Sequence, residues 1–360
     1  MCSSPTERMD IRNSKLFTPL EISGVKLNNR VCLSPVSLMQ ATPDGCLTEA
    51  AEDFYIRRAK GGTGLIIVGG HTVDSAHPYS AHGNSMDTDA VIEPYKAFTS
   101  RIHALGSKVF MQLIRPAKDD ASESADELSL APEKFASAAH RAELAGFDGV
   151  ELHAAHAYML LGSFLSGLKN HRTDKYGGDI IGRATLLFEV LSAVRSVVSP
   201  CFPVILRMSG SEKIEGGNTL DEVLKLAPEL VKAGISAFDI SGGTQHEEPW
   251  RTIPRADAPF GVNIPEAEAI KDAVDVPVFV VGKINDVTMA AQCVDEGHAD
   301  GVVMARALFA DAELVNKALG RVGQPIRKCV ACGECFKRIR GMSEQSELKA
   351  LPVCKFEPNN

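Results

Sequence analysis

From Asn29 onward, short runs of β-branched and other apolar residues recur, each followed by a loop and then by a stretch with apolar residues at helical spacing. The runs predict strands at 31–34, 64–68, 108–113, 149–153, 204–208, 237–240, 278–281 and 301–305. Helical patterns lie near 48–60, 91–105, 133–145, 184–198, 220–233, 265–274, 286–296 and 311–319. Pro132 and Pro265 are placed in first helical turns, where a missing N–H leaves no bond unmade. Gly106, Gly146 and Gly234 are placed as left-handed caps at helix ends. Parallel strands need crossover helices, and a closed sheet leaves no edge, so eight such repeats predict an α/β fold, a (β/α)8 TIM barrel. An open doubly wound sheet is the alternative, but no Gly-x-Gly-x-x-Gly turn follows a strand, and Gly61-Gly62-Thr63-Gly64 precedes one. The barrel is expected over 29–324. Before it runs an arm (1–28) whose residues 1–14 are polar and expected to fray, while 16–20 and 22–25 read as extended pieces covering the barrel's bottom. A cysteine-containing extension (325–360) follows.

Composition narrows the function. In 360 residues, 44% hydrophobic and 23% charged, there is ample material for a large core. A net charge of −8 with no basic stripe argues against a nucleic-acid partner. No apolar run approaches the length of a membrane span, and the N-terminus lacks the apolar segment of a signal peptide. Five of nine cysteines (Cys2, Cys32, Cys46, Cys201, Cys293) are scattered singly, which fits reduced thiols in a cytoplasmic protein better than a disulfide framework.

The chemistry concentrates at the end of the fourth strand, where His153, His156 and Tyr158 follow an apolar run. The two longest connections, 114–131 and 154–183, leave the C-terminal ends of strands, the face on which barrels carry their active sites. His-x-x-His can ligate a metal, but no carboxylate or thiol follows at suitable spacing. A lone tyrosine at a strand end can equally be a core residue with its hydroxyl at the rim.

Several stretches resemble the old yellow enzyme family of FMN-dependent ene reductases, in particular the branch that includes the barrel domain of 2,4-dienoyl-CoA reductase. They are Asn29-Arg30-Val31 through Ser37, Gly64 to Val68, Gln112-Leu113, His153 through Tyr158, Asn170 through Gly178, Gly282-Lys283, and Met304 through Leu308. The resemblance implies FMN across the top of the barrel and NAD(P)H as the electron source. Gly282, Lys283, Ala305 and Arg306 become candidates for the FMN phosphate, since small residues admit backbone N–H groups and arginine adds a forked donor. The bland alternative is that Gly and Ala only relieve crowding in a turn. Gln112 is expected at the pyrimidine edge and Arg207 near N1, although a buried arginine can also be half of a structural ion pair. Ser34, Pro35, Val36, Ser37 and Gly70 are expected to line the ring; the family usually has Thr or Cys where Ser37 stands. His153 and His156 are assigned to a substrate carbonyl oxygen and Tyr158 to proton donation at the α-carbon. Tyr176 and Arg115 are further substrate candidates, and His71, His77, His246 and Trp250 lie in loops on the same face.

The tail carries Cys329, Cys332, Cys335 and Cys354, a layout suited to a 4Fe–4S cluster and also compatible with zinc. It departs from the dienoyl-CoA reductase pattern, because the third cysteine comes one residue early and the gap to the fourth is longer. No FAD and dinucleotide domain follows, so the expected donor to a cluster is another protein or chain. Lys328, Lys337, Arg338 and Arg340 offer a basic docking face, or simply a solvated charge cluster. Four free thiols in a covering loop are the plain alternative. The leading expectation is an ene reductase acting on α,β-unsaturated carbonyl compounds. A flavin amine dehydrogenase or N-demethylase of the same fold is the close rival, and an electron-transfer subunit docking through its tail is the third. A homo-oligomer is compatible with all three.

Overall fold

The computed structural model describes residues 10–117, 120–245, 252–343 and 354. After a short turn at Ile11–Asn13, strands β1 (Leu20–Ile22) and β2 (Val25–Leu27) form an antiparallel hairpin. Strands β3 (Val31–Leu33), β4 (Leu65–Thr72), β6 (Lys108–Ile114), β7 (Gly149–Ala154), β8 (Val204–Ser209), β9 (Ala237–Ser241), β10 (Val278–Val280) and β11 (Gly301–Met304) pair in parallel, and β3 closes on β4. The two-residue strand β5 (Asn84–Ser85) adds to the outer end of β4. This is the expected eight-stranded barrel, closed and with helices between its strands.

Inward-facing side chains fill it in layers. Cys32, Leu65, Ile67, Phe110, Ile205, Ala237, Phe279 and Val303 form one apolar cluster, and Ile22 and Leu27 of the hairpin pack into it from below. A larger cluster lies between the outward strand faces and the surrounding helices. Those helices are α1 (Glu49–Lys60), α2 (Ile92–Ala104), α3 (Ala125–Leu144), α6 (Thr185–Val197), α7 (Leu220–Lys232), α8 (Ile264–Ala273) and α9 (Val287–Asp295). Shorter helices α4 (Met159–Leu165), α5 (Ile180–Arg183), α10 (Arg306–Ala310) and α12 (Glu334–Ser343) follow strand ends or belong to the tail, and α11 (Leu314–Ala318) bonds the turn that leads into β4 at the lower end.

Strand and helix positions agree with the sequence reading to within a few residues, with four corrections. Lys15–Phe17 is a 3-10 turn capped by Ser14, not an extended piece. In place of the expected 311–319 helix, α10 and α11 flank an extended Asp311. Helix α3 starts at Ala125, because Ser124 and Glu127 form a capping box in which each side chain bonds the other's backbone N–H. Pro132 therefore lies inside the helix, not in its first turn. Strand β4 continues to Thr72, past a register shift between Val68 and His71. Gly106, Gly146 and Gly234 do adopt positive φ at helix ends.

Candidate functional site

The upper end of the barrel holds a cavity of about 540 Å³, a size suited to a cofactor or small ligand. It is lined by Ser34, Pro35, Val36, Ser37, Gln112, His153, His156, Tyr158 and Arg207 from the first, third, fourth and fifth barrel strands and the loops that follow them. Gly282, Lys283, Ala305 and Arg306 close the far side.

Strand β7 delivers His153, which pairs in register with Arg207 on β8. The chain then turns sharply, with His156, Ala157 and Met159 all at positive φ, a conformation that costs energy for non-glycine residues and recurs at binding sites. Ser209 accepts the His156 backbone N–H at 3.0 Å, Ser241 Oγ meets His156 Nε2 at 2.7 Å, and the His156 carbonyl accepts from Gln245 N–H. The result is a group of three rings: His153 to Tyr158 4.9 Å, His153 to His156 5.4 Å and His156 to Tyr158 6.0 Å between centroids. Burial and the positive charge of Arg207 push His153 down to about 3 and His156 well below the ordinary imidazole value. Both rings are thus uncharged near neutrality, each with one N–H to donate. The Nδ1 atoms of both are buried without a partner. Burial raises the Tyr158 phenol, so its proton stays in place.

Below the rings, Gln112 Nε2 donates to Glu151 Oε1 at 2.7 Å, and Arg207 donates to Asp239 Oδ2 at 2.6 Å and to Ser34 Oγ at 3.3 Å. Arg207 is thus half of a buried ion pair and at the same time a lining residue of the cavity. Opposite them, Gly69 lies against the backbone of Val36 and Ser37, so closely that no Cβ would fit. The Tyr55 hydroxyl accepts Gly69 N–H and reaches the Val36 carbonyl. Gly70 does not line the cavity; its Cβ position faces Ile114 instead, since the β4 irregularity turns the two glycines in different directions.

Lys283 and Arg306 reach the cavity but are also engaged with one loop. Lys283 Nζ donates to the carbonyls of Ala256, at 2.6 Å, and Ala258, and Arg306 donates to Pro254 at 3.0 Å. Arg306 in addition lines a small pocket formed by Cys329, Cys332, Cys335 and Cys354. Among the described residues no three His, Cys, Asp or Glu side chains converge tightly enough for a single metal ion.

Other candidates lie elsewhere. Tyr176 bonds Glu189, His77 bonds Asp74 and approaches Arg115, and His71 is buried between the Gly69 carbonyl and the Tyr95 hydroxyl. None of these lines the cavity. His246 and Trp250 fall outside the described residues, as does the side chain of Arg340. Met39, Tyr79, Ser80, Ser241, Phe336 and Ile339 line it unforeseen. Ser241, a polar residue closing an apolar strand, carries a readable signal; Met39, Tyr79 and Ser80 sit in loops, and Phe336 and Ile339 sit three apart on α12 of the tail.

The profile of the NADH:flavin oxidoreductase / NADH oxidase family matches residues 15–132 and 123–322. The chain belongs to this family. Among relatives, a metal reductase of Desulforamulus reducens is 35% identical over 92% of this chain and 53% of its own length. An NADPH dehydrogenase of Bacillus subtilis is 32% identical over 87% of this chain and 96% of its own. An N,N-dimethylglycine/sarcosine dehydrogenase of Chromohalobacter salexigens is 30% identical over 90% of this chain and 51% of its own. The chain therefore spans about half the length of some of the curated relatives it matches. In fold it is similar to the old yellow enzyme homologue from Zymomonas mobilis, with a TM-score of 0.75 at 22% identity, covering 93% of this chain and 100% of that one. FMN and a reduced nicotinamide are the cofactors of the family, and the cavity suits FMN. It offers the backbone of Val36 and Ser37 with no side chain behind them, two imidazole nitrogens lacking partners, and cationic groups at both ends. No helix among the described residues is long and apolar enough to cross a membrane.

Proposed function

We propose that this chain reduces the C=C bond of α,β-unsaturated carbonyl compounds, with electrons from NAD(P)H. The observation that carries the reading is the convergence of two uncharged imidazoles and one protonated phenol on a single cavity. Ser34 to Ser37, Gln112 and Arg207 would hold the FMN ring, and Gly282, Lys283, Ala305 and Arg306 its phosphate. Phosphate binding requires Lys283 and Arg306 to share or exchange their present bonds to the 254–258 loop. When bound, FMN supplies two-electron hydride chemistry directed at the substrate's β-carbon. His153 and His156 each donate an N–H to the substrate carbonyl oxygen, on which negative charge develops. The Tyr158 hydroxyl gives its proton to the α-carbon, completing addition of two hydrogens.

Among the described residues no Asp or Glu lines the cavity, whereas Arg207, Lys283 and Arg306 do. That charge pattern suits a carbonyl or an anion and disfavours the cationic substrate of an amine dehydrogenase. For the tail, four cysteines line one pocket and three of them follow Cys-x-x-Cys-x-x-Cys spacing, which supports an iron–sulfur cluster ahead of zinc. Such a cluster would be filled by an external donor protein or by a further domain.

Tyr158→Phe tests the reading. Reduction of bound FMN by NADPH is expected to be unchanged, and its reoxidation by cyclohexenone to slow by about 10²-fold or more, the usual share of a general acid. Unchanged rates in both half-reactions overturn the assignment.

A further inference from the structure

Between the apolar plug and the cavity lies a polar layer that the proposed reaction does not use directly. Glu151 and Asp239 are both fully buried, yet each sits in the middle of a barrel strand with its side chain turned inward. The groups facing them are Gln112 on β6, Arg207 on β8, and Cys32 on β3. Asp239 is paired with Arg207 at 2.6 Å. Glu151 has only Gln112, and its Oε2 is buried without a partner, as is Asp239 Oδ1. Two carboxylates and one guanidinium leave a surplus negative charge in a layer shut off from the surface, and an unpaired buried charge is costly enough that a group neutralises instead.

We propose that Glu151 is a positioning residue of the FMN site: as an uncharged carboxylic acid it fixes the Gln112 amide so that the amide's carbonyl faces the cavity, and it leaves Asp239 as the single counter-charge of Arg207. Burial, reinforced by the nearby Asp239 charge, holds the Glu151 carboxyl well above its ordinary range, against the opposing influence of Arg207 and Gln112. With Glu151 neutral, the charges of Arg207 and Asp239 cancel, and the layer does not oppose electron density arriving at the ring above. The inference rests on FMN lying against Gln112 and Arg207.

Glu151→Gln keeps the shape and the acceptor and cannot ionise. The expected result is an FMN dissociation constant within about threefold of wild type and an unchanged flavin midpoint potential. Glu151→Ala should weaken FMN binding by about tenfold, and adding Gln112→Ala should cost little more, because both act through one amide. A rise in the Glu151→Gln potential matching a tenfold gain in preference for reduced flavin, about 30 mV for two electrons, would show that a negative charge had been removed and overturns the proposal. Additive losses in the double variant overturn it too, and Glu151→Gln still decides the charge if the alanine variants do not fold. Wild-type protein that fails to take up FMN overturns the cofactor assignment together with this inference, whereas a shifted variant beside a normal wild type overturns this inference alone.

Discussion

Replacing Gly69 by alanine tests how the cavity floor is built. Neither Gly69 nor Gly70 has a positive φ, so alanine is allowed by both backbones and any cost is one of space. A Cβ on Gly69 would stand 2.6 Å from the Ser37 backbone nitrogen and nearer still to the Val36 carbonyl. The Val36 carbonyl oxygen is 2.2 Å from that Cβ position, so reaching even 3.0 Å, the limit for real Cβ atoms, means moving it by about 0.8 Å. That backbone cannot rotate away as a side chain would. Overpacking of this kind costs about 1–3 kcal/mol. If the strain is relieved by displacing Val36 and Ser37, which line the cavity, FMN binding should weaken by about tenfold or more, since 1.4 kcal/mol corresponds to tenfold. At Gly70 the Cβ meets only Ile114 side-chain atoms, the nearest at 2.8 Å, and those can turn. Gly70→Ala is therefore the control, expected to leave FMN affinity within about twofold. Titration of apoprotein into FMN, followed by flavin fluorescence quenching, with thermal melts of both variants, measures the two effects. Equal FMN affinities in the two variants would refute the reasoning.

Two further outcomes follow from buried groups. Burial pushes His71 down to about 4 from its ordinary 6.5, so the unfolded chain takes up that proton first as pH falls. The stability it contributes is complete above pH 6.5 and is lost between 6.5 and about 4. From pH 7.5 to 5.5 the wild type should lose about 1.4 kcal/mol more than His71→Gln in urea unfolding, and parallel pH profiles would contradict this. For the tail, anaerobically purified protein should carry about four irons per chain with matching sulfide, and Cys335→Ser, at the most buried of the four thiols, should abolish them. Stoichiometric zinc, or no metal, in the wild type would count against the cluster.

The barrel was legible because its strands are buried on both faces and stand out as unbroken apolar runs between turn residues. His153, His156 and Tyr158 were legible for the opposite reason: polar rings placed where such a run ends, and the structure brings them together. What escaped depends on direction or on distant partners. Gly69 and Gly70 are adjacent, and only an irregular strand decides which one meets the loop. Glu151 and Asp239 look like surface residues of a strand until closure of the barrel turns them inward. Arg115, His77 and Tyr176 carry suitable chemistry, but Asp74 holds the first two and Glu189 the third away from the cavity. Pro132 resembles the first-turn proline of a helix, but the Ser124 and Glu127 pair caps α3 two turns earlier.

The hairpin driven into the lower end of the barrel has a kinetic consequence. With that end corked by Ile22 and Leu27, traffic to the ring must use the upper doorway, whose volume admits roughly one guest molecule beside a seated flavin. A nicotinamide and an unsaturated acceptor would then pass through it like visitors at a turnstile, the first leaving before the second enters. Initial rates measured against both should give parallel double-reciprocal lines, and an excess of either guest should obstruct the other.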